Sequence, residues 1–157
     1  MKRYLLAFFF AAGLWGQQTI TFTVRKQTVL AAGAEVVTVQ QPSTGAKLVR
    51  FIGAYFDCSV ACSFTLERNG SAATSTALAV NNLNPGEQPP TTTAWSASNV
   101  GTGSVIWSYN CAAACSVPID LTGLQFGSGG GTGTNLTLRS NSITGTVDIA
   151  FKFTETY

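Results

Sequence analysis

The 157-residue chain carries nine basic and seven acidic side chains and no histidine, so only 10% of its residues are charged. A balance this close to neutral gives no field to draw in nucleic acid or an acidic membrane surface. The missing imidazole removes Ser-His and Cys-His nucleophilic pairs, His-ligated metals and histidine acid–base catalysis.

Met1-Lys2-Arg3-Tyr4 opens the chain, an apolar run fills residues 5–15, and Gly16 precedes the polar Gln17-Gln18. A basic start, a short apolar run and a small residue before a polar switch form the pattern of a signal peptide. The run is well short of the roughly 20 residues of a membrane-spanning helix. The sequence therefore predicts a leader at 1–16 and one exported domain at 17–157, located outside the cell, at its surface or in the periplasm, with no membrane span. Gly13 is the second choice of cleavage point, and a buried N-terminal helix is the competing reading. Without Lys2 and Arg3, seven basic residues face seven acidic ones.

From residue 19 onward the apolar side chains recur at period two, with turn residues at short intervals, which is strand patterning. Ile20, Phe22 and Val24 alternate with threonines, and a second run covers 36–39 up to Pro42-Ser43-Thr44-Gly45. Residues 48–56 are apolar on both faces apart from Arg50, the mark of a central strand. Phe64 and Leu66 lead to Asn69-Gly70, a strong turn signal. The prolines and glycine of 81–90 predict a loop. Strands follow at 91–98 and 104–110 around a turn at 99–103, with Trp95, Trp107 and Tyr109 expected in or near the core. Val117, Ile119 and Leu121 form the next strand, the glycine-rich 127–133 a flexible surface loop, and Leu136 and Leu138 a short strand. The cleanest alternation closes the chain, with Val147, Ile149, Phe151 and Phe153 opposed to Asp148 and Lys152. About nine strands and no helix predict an all-β fold, a two-sheet antiparallel sandwich in jelly-roll or Greek-key order.

Cys58-Ser59-Val60-Ala61-Cys62 and Cys111-Ala112-Ala113-Ala114-Cys115 share one spacing, and each lies between two strand-like runs. Both read as hairpin tips, where facing cysteines come within disulfide reach. An even cysteine count in an exported chain favours bridges. Local pairing is the expected arrangement. Cross-tip pairing such as Cys58 with Cys115 is the second, and a Cys₄ zinc site, disfavoured by export, by a spacing of three rather than two and by the lack of histidine, the third.

The glycine run lacks a following Lys-Ser/Thr and matches no phosphate cradle. Nothing resembles an acidic calcium loop. No cofactor, no metal ligand set and no catalytic group is expected. Paired carboxylates are the one catalytic device left open, drawn from Glu35, Asp57, Glu67, Glu87, Asp120, Asp148 and Glu155. Their default reading is solvated surface. Asn69 and Asn135 head sequons that matter only in a glycosylating host.

From residue 48 to the end, Thr65-Leu66 with Arg68-Asn69-Gly70, the run Val117, Ile119, Asp120, Leu121, Gly123, then Asn135-Leu136-Thr137-Leu138-Arg139 and a final alternating strand follow one another. This order resembles small jelly-roll accessory modules of phage and prophage virions. The resemblance implies the same fold and a non-catalytic role; the leader and the two cysteine tips depart from that pattern. The expected function is a non-catalytic structural or adhesive module that binds a second copy of itself or a surface ligand through residues 59–61 and 112–114. The alternative is a carbohydrate-binding module that stacks sugars on Trp95, Trp107, Tyr55 or Tyr109. An outer-membrane barrel is a third reading, for which the strands look too short.

Overall fold

The computed structural model describes residues 18–41, 48–69, 76–96, 101–126 and 135–157. The expected leader, the 42–45 turn, Gly70 of the Asn69-Gly70 turn and the glycine run at 127–133 lie outside the described residues. Twelve strands run in chain order: β1 (Thr19–Val29), β2 (Glu35–Gln40), β3 (Leu48–Cys58), β4 (Cys62–Asn69), β5 (Thr76–Leu78), β6 (Val80–Asn82), β7 (Thr93–Ser96), β8 (Ser104–Cys111), β9 (Cys115–Asp120), β10 (Gln125–Phe126), β11 (Asn135–Ser140) and β12 (Thr146–Thr156). They form two antiparallel six-stranded sheets. One has the order β10-β3-β12-β1-β6, with β9 also on β3, and the other the order β5-β7-β2-β11-β4-β8. This is the expected two-sheet sandwich. The strands absent from the sequence reading are β5, β6 and β10, each two or three residues long, too short to show a period. Asn81 and Asn82, expected in a loop, belong to β6 and pair with Thr23 and Phe22 of β1.

Period two places Val147, Ile149, Phe151 and Phe153 of β12 inward, all fully buried. β12 pairs with β1 along one side and with β3 along the other. Phe51 on β3 contacts Phe126 edge-on at 5.2 Å and Phe153 at 5.9 Å, and Phe56 meets Phe64 of the opposite sheet at 5.3 Å. β3 is central, as expected, but only its inner face is covered, and Ile52 and Tyr55 remain exposed on the outside.

Position 155 continues the inward phase of β12, so Glu155 is fully buried although a solvated surface is the default for its type. Its carboxylate accepts the Thr91 amide (3.0 Å), the Thr92 amide (2.8 Å) and the Thr91 hydroxyl (2.8 Å), and the Tyr157 hydroxyl also donates to it. Several donors on one carboxylate offset the cost of burying it. The Tyr157 amide donates to the Gln18 carbonyl at 3.0 Å, which closes the first and last described residues against each other.

Two outcomes test this packing. Phe151→Ala should lower unfolding stability by about 3–5 kcal/mol and the outward Lys152→Ala by almost nothing, as read in denaturant titrations. Burial, the hydrogen bond to Glu155 and that carboxylate's charge all push the Tyr157 hydroxyl above its ordinary range. The folded state therefore keeps a proton that the unfolded chain releases near pH 10. The resulting stability is complete below about pH 10 and declines above it. Tyr157→Phe should flatten that alkaline decline in thermal midpoints taken across pH 9–11.

Candidate functional site

β1, β3, β8 and β11 all end at the same end of the sandwich, and each hands the chain to the other sheet. The four connections, residues 30–34, 59–61, 112–114 and 141–145, are therefore arches between sheets. This corrects the hairpin reading of the cysteine segments. β3 and β4 belong to different sheets, as do β8 and β9, because a three-residue link crosses between sheets as readily as it turns within one.

The arches are tied to one another. Leu30 donates its amide to the Gly145 carbonyl (2.8 Å), Gly33 to Ser140 (2.8 Å), Ser59 to Thr146 (3.0 Å) and Asn141 to Ser63 (2.8 Å). The Ser59 hydroxyl accepts the Thr146 amide at 2.8 Å, and Ser142 Oγ accepts the Ser63 amide at 2.7 Å. Gly145 has φ +96°, and a Cβ there would collide with the Val60 side chain, so only glycine lets the 141–145 arch lie against the 59–61 arch.

Cys58 and Cys62 stand at bonding distance, as do Cys111 and Cys115, with Cα separations of 6.5 and 6.3 Å. These are the locally paired disulfides expected. They staple sheet to sheet rather than strand to strand. Register places Cys58 opposite Cys115 and Cys62 opposite Cys111, so the two staples lie side by side.

All six tip residues, Ser59, Val60, Ala61, Ala112, Ala113 and Ala114, are solvent-exposed. Val29 (71% exposed) and Ile143 (76% exposed) extend the same end. The four arches contain no charged residue. Burying this end against a partner thus carries no ionic desolvation cost, which amounts to several kcal/mol per ion where charges must be stripped of water.

The aromatic candidates divide among three places. Trp107 and Tyr109 face inward on β8, stack on each other at 5.5 Å with ring planes 9° apart, and contact Phe56. Trp95 is half-buried on β7, opposite Thr38 of β2. Tyr55 is 43% exposed on the outer face of the other sheet. The four thus share no common platform. Tyr55 borders a shallow groove of about 360 Å³ with Ile52, Gly53, Pro118 and Lys152. A Cβ at Gly53 would come 2.8 Å from the Ile119 carbonyl oxygen, so glycine sets the close approach of β3 and β9 there.

Most of the candidate carboxylates have fixed partners; Asp57 is exposed on β3, in register with Asp148 of β12, and among the described residues Glu87 meets only the Asn84 amide at 3.5 Å. Arg139 Nε donates to both Glu67 oxygens (3.1 and 3.2 Å) and its Nη2 to Glu35 (3.1 Å), while Nη1 caps the Gly33 carbonyl (2.8 Å). Glu67 also accepts the Gly103 amide at 3.1 Å. Glu35 and Glu67 are both buried, against their default reading, because this guanidinium neutralises one charge and the backbone solvates the rest. Arg25 hydrogen-bonds Asp148 and holds its carboxyl below the ordinary range. The Thr122 hydroxyl and amide do the same for Asp120. Asn135 and Thr137 of the second sequon are fully buried, so the folded domain offers no glycan acceptor there.

No family model, no curated protein and no solved structure matches the chain. Among the described residues no helix is long and apolar enough to cross a membrane.

Non-reducing peptide mapping checks the staples. Cleavage between Cys62 and Cys111 should leave two separate disulfide peptides, with no link between them. Each staple closes a very short loop, so reduction should lower stability by only about 2 kcal/mol per bridge in the loop-entropy model.

Proposed function

We propose that the chain is an exported, non-catalytic structural or adhesive module that engages its partner through the stapled end of the sandwich. The observation that carries this reading is the convergence of four uncharged arches with two adjacent staples. Small side chains at 61 and 112–114 let a partner's backbone come close, and Val60 and Ile143 supply apolar contact. The staples restrict the arches before contact, which reduces the ordering entropy that association costs. The partner is a second copy of the chain or a ligand on a surface.

Self-assembly has a further route along β8. Among the described strands it is the edge of its sheet, eight residues long, with no charge and no proline. Other edges are guarded. β9 carries Pro118 and Asp120, and β5 and β6 are three residues each. An unguarded edge of this length is a template for pairing with another chain.

Carbohydrate binding is the second reading, favoured by one observation, the groove beside exposed Tyr55. An aromatic ring beside a shallow concavity suits the apolar face of a sugar ring.

Val60→Glu and Ala113→Glu together should abolish assembly in light scattering, or adhesion in a surface assay, with the thermal midpoint nearly unchanged. Normal assembly and adhesion by that variant would sink the stapled-end reading. Loss of glycan retention in Tyr55→Ala, with Val60→Glu/Ala113→Glu behaving normally, would favour the sugar reading instead.

A further inference from the structure

The four cysteines occupy the corners of one rectangle. Two of its sides run between register partners, Cys58 with Cys115 in one sheet and Cys62 with Cys111 in the other. The remaining two sides are the inter-sheet staples, with Cα separations of 6.5 and 6.3 Å. Three of the four sulphurs cluster inside it. Sγ of Cys58, Cys62 and Cys115 all lie within 4.8 Å of one another, and Cys62 Sγ stands 4.0 Å from Cys115 Sγ across the diagonal. A tetrahedral zinc thiolate, with Zn–S near 2.3 Å, separates its sulphurs by about 3.8 Å.

We propose that the tetrad, once both staples are reduced, is a Cys₄ site for one zinc ion. The same end of the sandwich is then tied by sulphur in either redox state, by two disulfides or by one metal. Cys58, Cys62 and Cys115 supply three ligands from the existing cluster, and Cys111, whose sulphur lies outside it, turns in as the fourth once released from Cys115. The two-by-two origin of the ligands makes hairpin geometry irrelevant, and a three-residue spacing falls within the span of about two to four that zinc-binding cysteine pairs use. Cys58 and Cys62 are buried at the top of the core, where competition from water for the metal is low. The Tyr109 hydroxyl lies 3.6 Å from Cys111 Sγ and can donate to that sulphur as a thiolate. Thiolate softness favours zinc over the hard cations.

The chemistry closes. A phosphine reductant delivers two electrons to each disulfide and becomes the phosphine oxide, taking its oxygen from water. The two protons released from that water go to the freed sulphurs, so each bridge yields two thiols. Zinc then displaces four protons as four Zn–S bonds form. Two equivalents of a small-molecule disulfide, each taking up two electrons and leaving as two thiolates, re-form the two bridges by exchange and release the metal.

The test uses the full chain and cobalt(II) as an optical stand-in for zinc. Reduced anaerobically with a phosphine, the chain should develop tetrahedral d–d bands and a sulphur-to-cobalt charge-transfer band that saturate at one cobalt per chain. One equivalent of zinc should bleach them, and the oxidised chain should show none. Cys62→Ser and Cys115→Ser should each weaken binding at least tenfold. A reduced, folded chain without the charge-transfer band overturns the proposal, as does wild-type affinity in both serine variants. Should the reduced chain lose its sheets, one equivalent of zinc should restore them in circular dichroism, and failure to do so also overturns the site. The result is independent of whether the arches bind a partner.

Discussion

Everything in the sandwich is hung on β12, which pairs along all eleven residues with β1 on one side and along ten of them with β3 on the other. Its inward row of Val147, Ile149, Phe151 and Phe153 touches the rings of β1 and β3 and backs onto the opposite sheet. A one-residue slip would turn that row to solvent and bring Asp148 and Lys152 into the core, so the register of the sheet is fixed by burial. The same register sets where β3 ends and β9 begins, and therefore where Cys58 meets Cys115.

Period two made the main strands legible, because one face of each is packed and the other is wet. β2 and its neighbour β11 are the exceptions, with residues on both faces buried: Thr38, Asn135 and Thr137 as well as the apolar row. The cysteine spacing revealed the staples but not that they cross between sheets, because a three-residue link looks the same in a hairpin and in an arch. The burial of Glu155 is legible in the sequence, since it continues the phase of Phe153 by two. Glu35 and Glu67 were not readable. Their burial depends on Arg139, which is over 70 positions from either in the chain and reaches them only through the pairing of β11 with β2 and β4. The apolar end was hidden for a similar reason. Four short segments scattered over more than a hundred residues become one surface only after the arches are stacked.

The polar groups of this domain are distributed by need. Where the chain must bury charge it surrounds it with donors, as at Glu155 and around Arg139. Where Asp148 faces solvent it is matched by Arg25 across the strand pair. The arch end has neither arrangement. Several of its backbone groups are tied internally, and its side chains are alanine, leucine, valine, isoleucine, glycine, small hydroxyl residues and the single amide of Asn141, with no charge among them. That combination gives a firm surface of low polarity, suited to contact and poor in groups for acid–base chemistry.

The contact between Tyr157 and Gln18 gives the molecule a direction. Both residues lie at the foot of eleven-residue strands whose other ends carry the arches. At about 3.4 Å per residue, roughly 35 Å separates foot from crown. Anything joined before Gln18 or after Tyr157, whether a tether, a fused domain or an affinity tag, leaves from the foot. A copy held by either end therefore stands with its stapled crown outward, and a row of such copies offers one uniform layer of crowns.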